Sequence, residues 1–342
     1  MLQVTMFSQA DSVKGQGVGS AYLELIALLR KYEKESQIEL RINEFKKTDI
    51  SHYHTINLSY YLSTFFPKIV GRRIGYVHFV PETLEDSLEM PRLFKYIFYR
   101  YVIAFYKRMD HLVVVNPSFI PVLEKYGISK EKVTYIPNFV SSERFYPLPN
   151  SVRKAERAQR GWDDRLVVLG AGQIQMRKGV DDFIRLAEEN PSIQFIWAGG
   201  FSFGKLSNGY EQLKEKVEHP PDNLLFTGIV SREELHLYYN LADIFLLPSH
   251  SELFPMCILE AFNCGTPVML RDLPLYQAII EDDYIAAKDK EEMSRLLVKY
   301  QTSPKKLKHY QLRSKDAAAY YSEQNILKKW RAFYHEQNKM SE

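Results

Sequence analysis

The sequence has few of the residues that staple small or secreted folds. It holds two cysteines in 342 residues, Cys257 and Cys264. Both fall on one expected helix, where their separation amounts to about 10.5 Å of rise, beyond the reach of a disulfide. Buried thiols in a reducing compartment are the expected state, and two lone cysteines do not make the usual zinc ligand set. The chain has no H-E-x-x-H motif, no Cys/His cluster, no nucleophile elbow and no Asp-x-Asp motif of the kind that chelates a metal against a diphosphate. No metal and no cofactor are therefore expected. No apolar run approaches the ~20 residues that span a bilayer. The segment Met1-Leu-Gln-Val-Thr-Met-Phe-Ser-Gln9 has no basic stretch followed by an apolar one, so no signal peptide is expected. The expected location is cytoplasmic or peripheral to a membrane. A net charge of only +3 gives no general affinity for polyanions, and nucleic acid is not an expected partner. Gly/Ser-rich linkers, low-complexity tracts and internal repeats are also absent.

The residues present are 45% hydrophobic and 25% charged, the balance of a folded globular protein. The length suits two cores rather than one. Residues 2–7, 38–42, 73–77, 111–115 and 133–136 read as strands, and 21–34, 92–109 and 119–126 as helices. The second half repeats the scheme, with strands at 166–170, 194–198, 223–227, 244–247 and 267–270 and helices at 179–190, 210–218, 231–241 and 256–264. Such alternation predicts parallel sheets covered by helices. The polar stretch 147–164 carries no β pattern and is the expected boundary. It separates an N-terminal domain, 1–150, from a C-terminal domain, 151–321. Residues 322–342 read mainly as a last helix that packs back on the N-terminal domain. The expected fold is α/β, two doubly wound Rossmann-like domains facing a cleft, with ligands at the carboxyl ends of the strands.

Two glutamates are the strongest chemical feature. Glu252 and Glu260 bracket Glu252-Leu-Phe-Pro-Met-Cys-Ile-Leu-Glu260, just after the apolar run Ile244-Phe-Leu-Leu247. Pro255 suits the first turn of a helix. Glu252 then lies at the helix mouth, Glu260 about a turn inside, and unpaired amides lie between them. Carboxylates beside amide donors suit a polyhydroxylated ligand that carries phosphate, such as a sugar nucleotide. Alone, the spacing equally describes a loop acid and a solvated helix residue. Gly170-Ala-Gly-Gln-Ile-Gln-Met-Arg177-Lys178-Gly179 follows a strand and ends in two cations at a helix start. Arg177 offers bidentate contact and Lys178 a point charge, both suited to a diphosphate, unless the turn is simply a solvated basic one. Lys14-Gly15-Gln-Gly17-Val-Gly19 follows the first strand. Its glycines let a ligand approach backbone, although the spacing is not the dinucleotide fingerprint and a turn without a ligand reads as well. His78 ends the strand at Tyr76-Val-His78, where site residues gather, or serves as a structural histidine.

Together these pieces resemble the family 4 retaining glycosyltransferases of the GT-B fold. Gly15, Gly17, His78, the Arg177-Lys178-Gly179 run and Glu252 to Glu260, with Phe254 between, lie in that family's order over nearly the whole chain. The resemblance implies that Glu252 binds donor-sugar hydroxyls, Glu260 the ribose, and Arg177 with Lys178 the diphosphate. It also implies that His78 touches the sugar near its reacting carbon and that amides around Phe254, Pro255 and Met256 cap the sugar or phosphate. Such enzymes are similar in using no metal, with the departing diphosphate oxygen helping to deprotonate the acceptor. Pro255 departs from the pattern, since many relatives have glycine there and proline removes an amide donor.

The stretch Arg92-Leu-Phe-Lys-Tyr-Ile-Phe-Tyr-Arg-Tyr-Val-Ile-Ala-Phe-Tyr-Lys-Arg108 bears on the acceptor. Wound at about 100° per residue, Phe94, Phe98 and Phe105 fall on an apolar half with Leu93, Ile97 and Val102. Arg92, Lys95, Arg100 and Lys107 fall on the other half. A basic, aromatic helix of this kind suits an anionic membrane surface, whereas in any α/β domain the apolar face also reads as core. A second aromatic and basic patch spans 59–73. Within the family, this pattern and Gly75-Tyr-Val-His-Phe-Val-Pro-Glu-Thr-Leu84 resemble bacterial glycolipid synthases. The expectation is a peripheral enzyme on the cytoplasmic face of the cell membrane. Its donor would be UDP-galactose or UDP-glucose, its acceptor a glycolipid such as glucosyl-diacylglycerol, and its product an α-linked diglycosyl-diacylglycerol. A polysaccharide or protein acceptor, a nucleotide-sugar epimerase and a silent partner of another transferase are the competing readings.

Overall fold

The computed structural model describes residues 1–10, 17–84, 91–202, 204 and 209–340. The chain forms two α/β units, one of Met1–Phe139 with Glu323–Glu342 and one of Val140–Ser322.

In the first unit six parallel strands lie in the order β2-β1-β3-β4-β5-β6. They are β1 (Leu2–Phe7), β2 (Ile38–Ile42), β3 (Ile50–Tyr53), β4 (Arg72–Val77), β5 (His111–Val114) and β6 (Val133–Tyr135). Val4 pairs with Ile50, and Ile74 with His111. Helices cover both faces of such a sheet, so its strands are apolar runs; Val4, Met6, Ile74, Val113 and Val114 are fully buried. Strand β3 was not expected. Its sequence, Ile-Ser-His-Tyr, has two adjacent polar residues and no apolar run, yet Ser51 and His52 are buried. Aromatic packing accommodates it. His52 Nδ1 lies 2.7 Å from the Tyr334 hydroxyl and its ring 5.3 Å from that of Trp330. Both partners come from the last helix, Glu323–Lys339. That helix is tied to the unit by Lys31–Glu323 at 2.9 Å and by Arg72 Nε donating to Gln337 Oε1 at 2.7 Å.

The second unit has the parallel order β12-β11-β10-β7-β8-β9. Its strands are β7 (Val167–Ala171), β8 (Gln194–Ala198), β9 (Leu224–Gly228), β10 (Ile244–Leu247), β11 (Val268–Arg271) and β12 (Ile285–Ala287). This is the doubly wound arrangement whose winding reverses between the first and fourth strands, here β7 and β10. The loops that leave these two strands are therefore neighbours, and they carry Arg177, Lys178 and Glu252. The stretch expected to be the boundary is instead part of this unit. Residues Asn150–Gln159 form a helix, Arg157 Nη1 reaches Asp243 Oδ2 at 3.0 Å, and Leu148 N donates to Asn240 Oδ1 at 2.7 Å. The division falls at Phe139/Val140. The polar composition of 147–164 reflects an ion-paired helix, not a linker.

Candidate active site

The site in the second unit is built by close backbone approach. Gly172 and Gly199 both have positive φ, and a Cβ on Gly199 would stand 1.9 Å from Gly172 O. Ile174 N then donates to Gly200 O at 3.0 Å, which steers the chain into the short 3-10 turn Met176–Lys178. Gly179 ends that turn at φ +69°, where a side chain would meet Pro248 O at 2.2 Å. Only glycine fits this left-handed contact. It presses the turn against the exit of β10, and His250 N joins the two loops by donating to Arg177 O at 2.8 Å.

The side chains follow from that contact. Lys178 Nζ lies 2.5 Å from Glu252 Oε1, and Ser249 Oγ donates to the same oxygen at 2.7 Å. Arg177 stands 4.0 Å from the other carboxylate oxygen and donates to Ser251 O at 3.3 Å. Lys178 and Glu252 are both buried. Burial is the largest single influence on Glu252 and favours its protonated form. Lys178, Arg177 and the hydrogen bonds from Lys178 and Ser249 outweigh it and hold the carboxyl below its ordinary pKa. Glu252 is thus ionised at neutral pH, against two cations. Behind the pair, Arg271 braces Asp182 at 2.5 Å and donates to Pro248 O at 3.1 Å.

Glu260 is also buried and accepts a hydrogen bond from Tyr239 at 2.8 Å. It lies in the helix Met256–Asn263, which begins one residue after Pro255; the proline is the N-cap and not in the first turn. Among the described residues no side chain caps this helix; Ile258 N donates to Pro255 O at 3.2 Å, and the amides of Met256 and Cys257 before it are the ones a ligand could use. The side chains of Phe254 and Met256 are buried, with Phe254 packed on Tyr321 at 5.4 Å between ring centres. Both can meet a ligand only through their backbone. The thiols Cys257 and Cys264 are free. Among the described residues no three His, Cys, Asp or Glu side chains gather to hold a metal ion. Ser249, Tyr239 and Arg271 were missed from the sequence. Ser249 could have been found from its place between an apolar strand and Glu252; Tyr239 and Arg271 have no local signal.

In the first unit His78 follows β4 and is buried, with its ring 4.4 Å from that of Tyr76 and 5.8 Å from that of His54. His54 in turn lies 4.2 Å from His52 between ring centres. Among the described residues His78 Nε2 and both ring nitrogens of His54 have no hydrogen-bond partner. Gly17 opens the helix Gly17–Lys31 instead of standing in a loop, and Gly15 lies outside the described residues.

The helix Arg92–Lys107 divides along its length. Leu93, Phe94, Tyr96 and Ile97 are more than half exposed. Lys95 Nζ sits 5.8 Å from the Tyr99 ring centre, and Arg100 donates to Tyr96 Oη at 3.0 Å. Arg92 and Lys107 are exposed and Phe98 is half-buried. Phe105 was expected on the membrane-facing side, but it is 1% exposed. It packs on Tyr53 and Tyr61 at 5.9 and 6.0 Å, so the end of the helix that holds it is core.

Burial pushes the pKa of His52 and His78 down to about 3 and that of His54 well below its ordinary value, with neighbouring histidines adding to the effect on His52 and His54. A base with a depressed folded pKa binds fewer protons folded than unfolded. Its neutral burial is fully compatible with folding above the unfolded pKa near 6.5 and costs stability as pH falls from there toward 3. The slope is up to about 1.4 kcal/mol per pH unit for each group. His54→Gln is therefore expected to flatten the loss of urea resistance between about pH 7.5 and pH 5.5. A variant as pH-sensitive as wild type would contradict the neutral burial of His54.

The chain matches two families, glycosyl transferases group 1 over residues 152–316 and glycosyltransferase family 4 over residues 17–144. It is 52% identical to an alpha-galactosylglucosyldiacylglycerol synthase of Streptococcus pneumoniae over 98% of this chain and 90% of that one. It is 23% identical to a processive diacylglycerol alpha-glucosyltransferase of Acholeplasma laidlawii over 80% of each. Its fold matches that of HepE from Anabaena, solved with UDP and glucose, at a TM-score of 0.78, with 14% identity over 98% of this chain and 100% of that one. These matches span both units, and the chain belongs to the family 4, group 1 glycosyltransferases.

Proposed function

We propose that this transferase moves galactose from UDP-galactose to a glucosyl-diacylglycerol and forms an α-linked diglycosyl-diacylglycerol at the cytoplasmic face of the membrane; UDP-glucose is the second donor considered. The near full-length likeness to the pneumococcal synthase carries the choice of acceptor and sugar. The Lys178–Glu252 pair at the β7/β10 switch point supports the assignment of residues.

In this reading Arg177, Lys178 and the uncapped helix start at Met256 hold the diphosphate and take up the charge that develops on it. Glu252 accepts hydrogen bonds from donor-sugar hydroxyls, and Glu260 from the ribose. The bond from the anomeric carbon to the diphosphate oxygen breaks, and its electron pair leaves with UDP. The acceptor hydroxyl oxygen bonds to the same face of that carbon while its proton passes to the departing phosphate oxygen. His78 of the first unit, neutral at working pH because burial depresses its pKa, is assigned a hydrogen-bonding role without charge. No helix among the described residues is long and apolar enough to cross a membrane. We assign surface attachment to the exposed start of the helix Arg92–Lys107.

Thin-layer analysis of the lipid products from UDP-galactose and UDP-glucose, each with diacylglycerol and with its monoglucoside, tests the reaction. A digalactosyl-type product is not expected; the expected lipid carries one galactose added to the monoglucoside and appears with UDP-galactose only. Conversion of the donor to an epimer with no acceptor, or no lipid product at all, would overturn the reading. Sedimentation with phosphatidylglycerol vesicles tests attachment. Reversing Arg92, Lys95 and Arg100 to Glu is expected to weaken binding at least about tenfold, whereas unchanged sedimentation would move the contact elsewhere.

A further inference from the structure

The first unit carries an apolar groove that uses none of the residues assigned above. It has a volume of about 390 Å³ and is lined by Phe45, Leu62, Phe66, Ile69 and Val70, with Ser59 and Ser63. Phe45, Leu62, Phe66 and Ile69 are 55%, 54%, 59% and 43% exposed, and Leu58 and Phe65 beside them are 64% and 51% exposed. Large apolar side chains seldom stay exposed together on a soluble surface without an occupant. The groove lies on the helices Leu58–Ser63 and Pro67–Val70. The first of these packs beside the Arg92–Lys107 helix, with Tyr61 and Tyr101 rings 5.6 Å apart and the Arg108 guanidinium 4.1 Å from the Phe65 ring centre. The two helices thus meet near the buried end of Arg92–Lys107.

Across the short helix Pro67–Val70 the character changes. Lys68 and Gly71 face a second cavity, of about 710 Å³, which Lys47, Gln37 and Asn338 also line. Lys47 and Lys68 are exposed and make no ion pair among the described residues. Asp49 also lines this cavity, and its carboxylate accepts a hydrogen bond from Gln3 N at 2.8 Å, so two cations and one anion face the space.

We propose that the apolar groove seats one acyl chain of an anionic membrane lipid, whose phosphate rests against Lys47 and Lys68; this rests on the reading of the enzyme as membrane-attached. Apolar lining on one side of a single helical turn and unpaired cations on the other match the two ends of such a lipid. The residues of the seat belong to the first unit, and those assigned to the donor belong to the second. It would hold the enzyme to a lipid molecule and not merely to a charged surface.

Titration calorimetry with water-dispersed dioctanoyl-phosphatidylglycerol tests this. Wild type is expected to bind it saturably, one molecule per chain, and to bind dioctanoyl-phosphatidylcholine and inorganic phosphate at least about tenfold more weakly. Ser59 is exposed on its helix, so Ser59→Trp fills the groove without disturbing the core and adds apolar surface. It is expected to weaken binding of the short lipid about tenfold or more while sedimentation with phosphatidylglycerol vesicles persists. Lys68→Glu should weaken binding similarly. Binding unaffected by Ser59→Trp, no saturable binding, or inorganic phosphate binding as well as the lipid would each overturn the proposal. Transfer to detergent-dispersed glucosyl-diacylglycerol is read separately. Wild type that transfers sugar yet fails to bind the short lipid would remove the seat and leave the enzymatic reading standing.

Discussion

Lysine and glutamate meet out of solvent where two neighbouring parallel strands end, and the layout of the second unit depends on that meeting. Lys178 and Glu252 come from loops far apart in sequence, joined because β7 and β10 pair at the point where the winding reverses. Breaking such a pair by removing one partner costs about 3–5 kcal/mol, since it strands a buried charge. The pair is possible only because Gly179 lets the lysine turn lie against Pro248 O. Ser249 and Arg177 add the contacts that keep Glu252 ionised despite burial. The result is a carboxylate and two cations fixed before any ligand arrives, so little reorganisation is needed when one does.

The two units differ in which ionisable groups they bury most deeply. In the second, charges are buried in opposition. In the first, His52, His54 and His78 are buried as neutral rings among Tyr76, Trp330 and Tyr334, and the ion pair Arg73–Asp110 is only partly buried. A nucleotide diphosphate suits the environment in the second unit.

Much of this was legible in the sequence because it depends on local pattern. The apolar runs of β7 and β10 marked strands buried on both faces, and the residues just past their ends could be read as site candidates without any contact map. Other features depend on long-range packing. Strand β3 looked polar because Ser51 and His52 are covered only by folding, His52 by a helix nearly 300 residues later in the chain. The segment 147–164 looked like a linker because its arginines seek Asp243, which is remote in sequence. Tyr239 gives no sign that its hydroxyl serves Glu260. Helical periodicity placed Phe94 and Phe105 on one face of a single helix, but the neighbours of each decide whether that face meets core or surroundings. The rings of Tyr53 and Tyr61 cover Phe105 and leave Phe94 open.

The central claim is that the cation and the carboxylate of the buried pair divide the donor between them, diphosphate to Lys178 and sugar to Glu252. Calorimetric affinities for UDP and for UDP-galactose, measured on wild type, Lys178→Met and Glu252→Gln, test it directly. Loss of Lys178 is predicted to weaken both ligands at least about tenfold. Glu252→Gln is predicted to leave UDP within about threefold of wild type while abolishing the preference for the nucleotide sugar. Folded Lys178→Met protein that binds UDP as tightly as wild type would contradict the account.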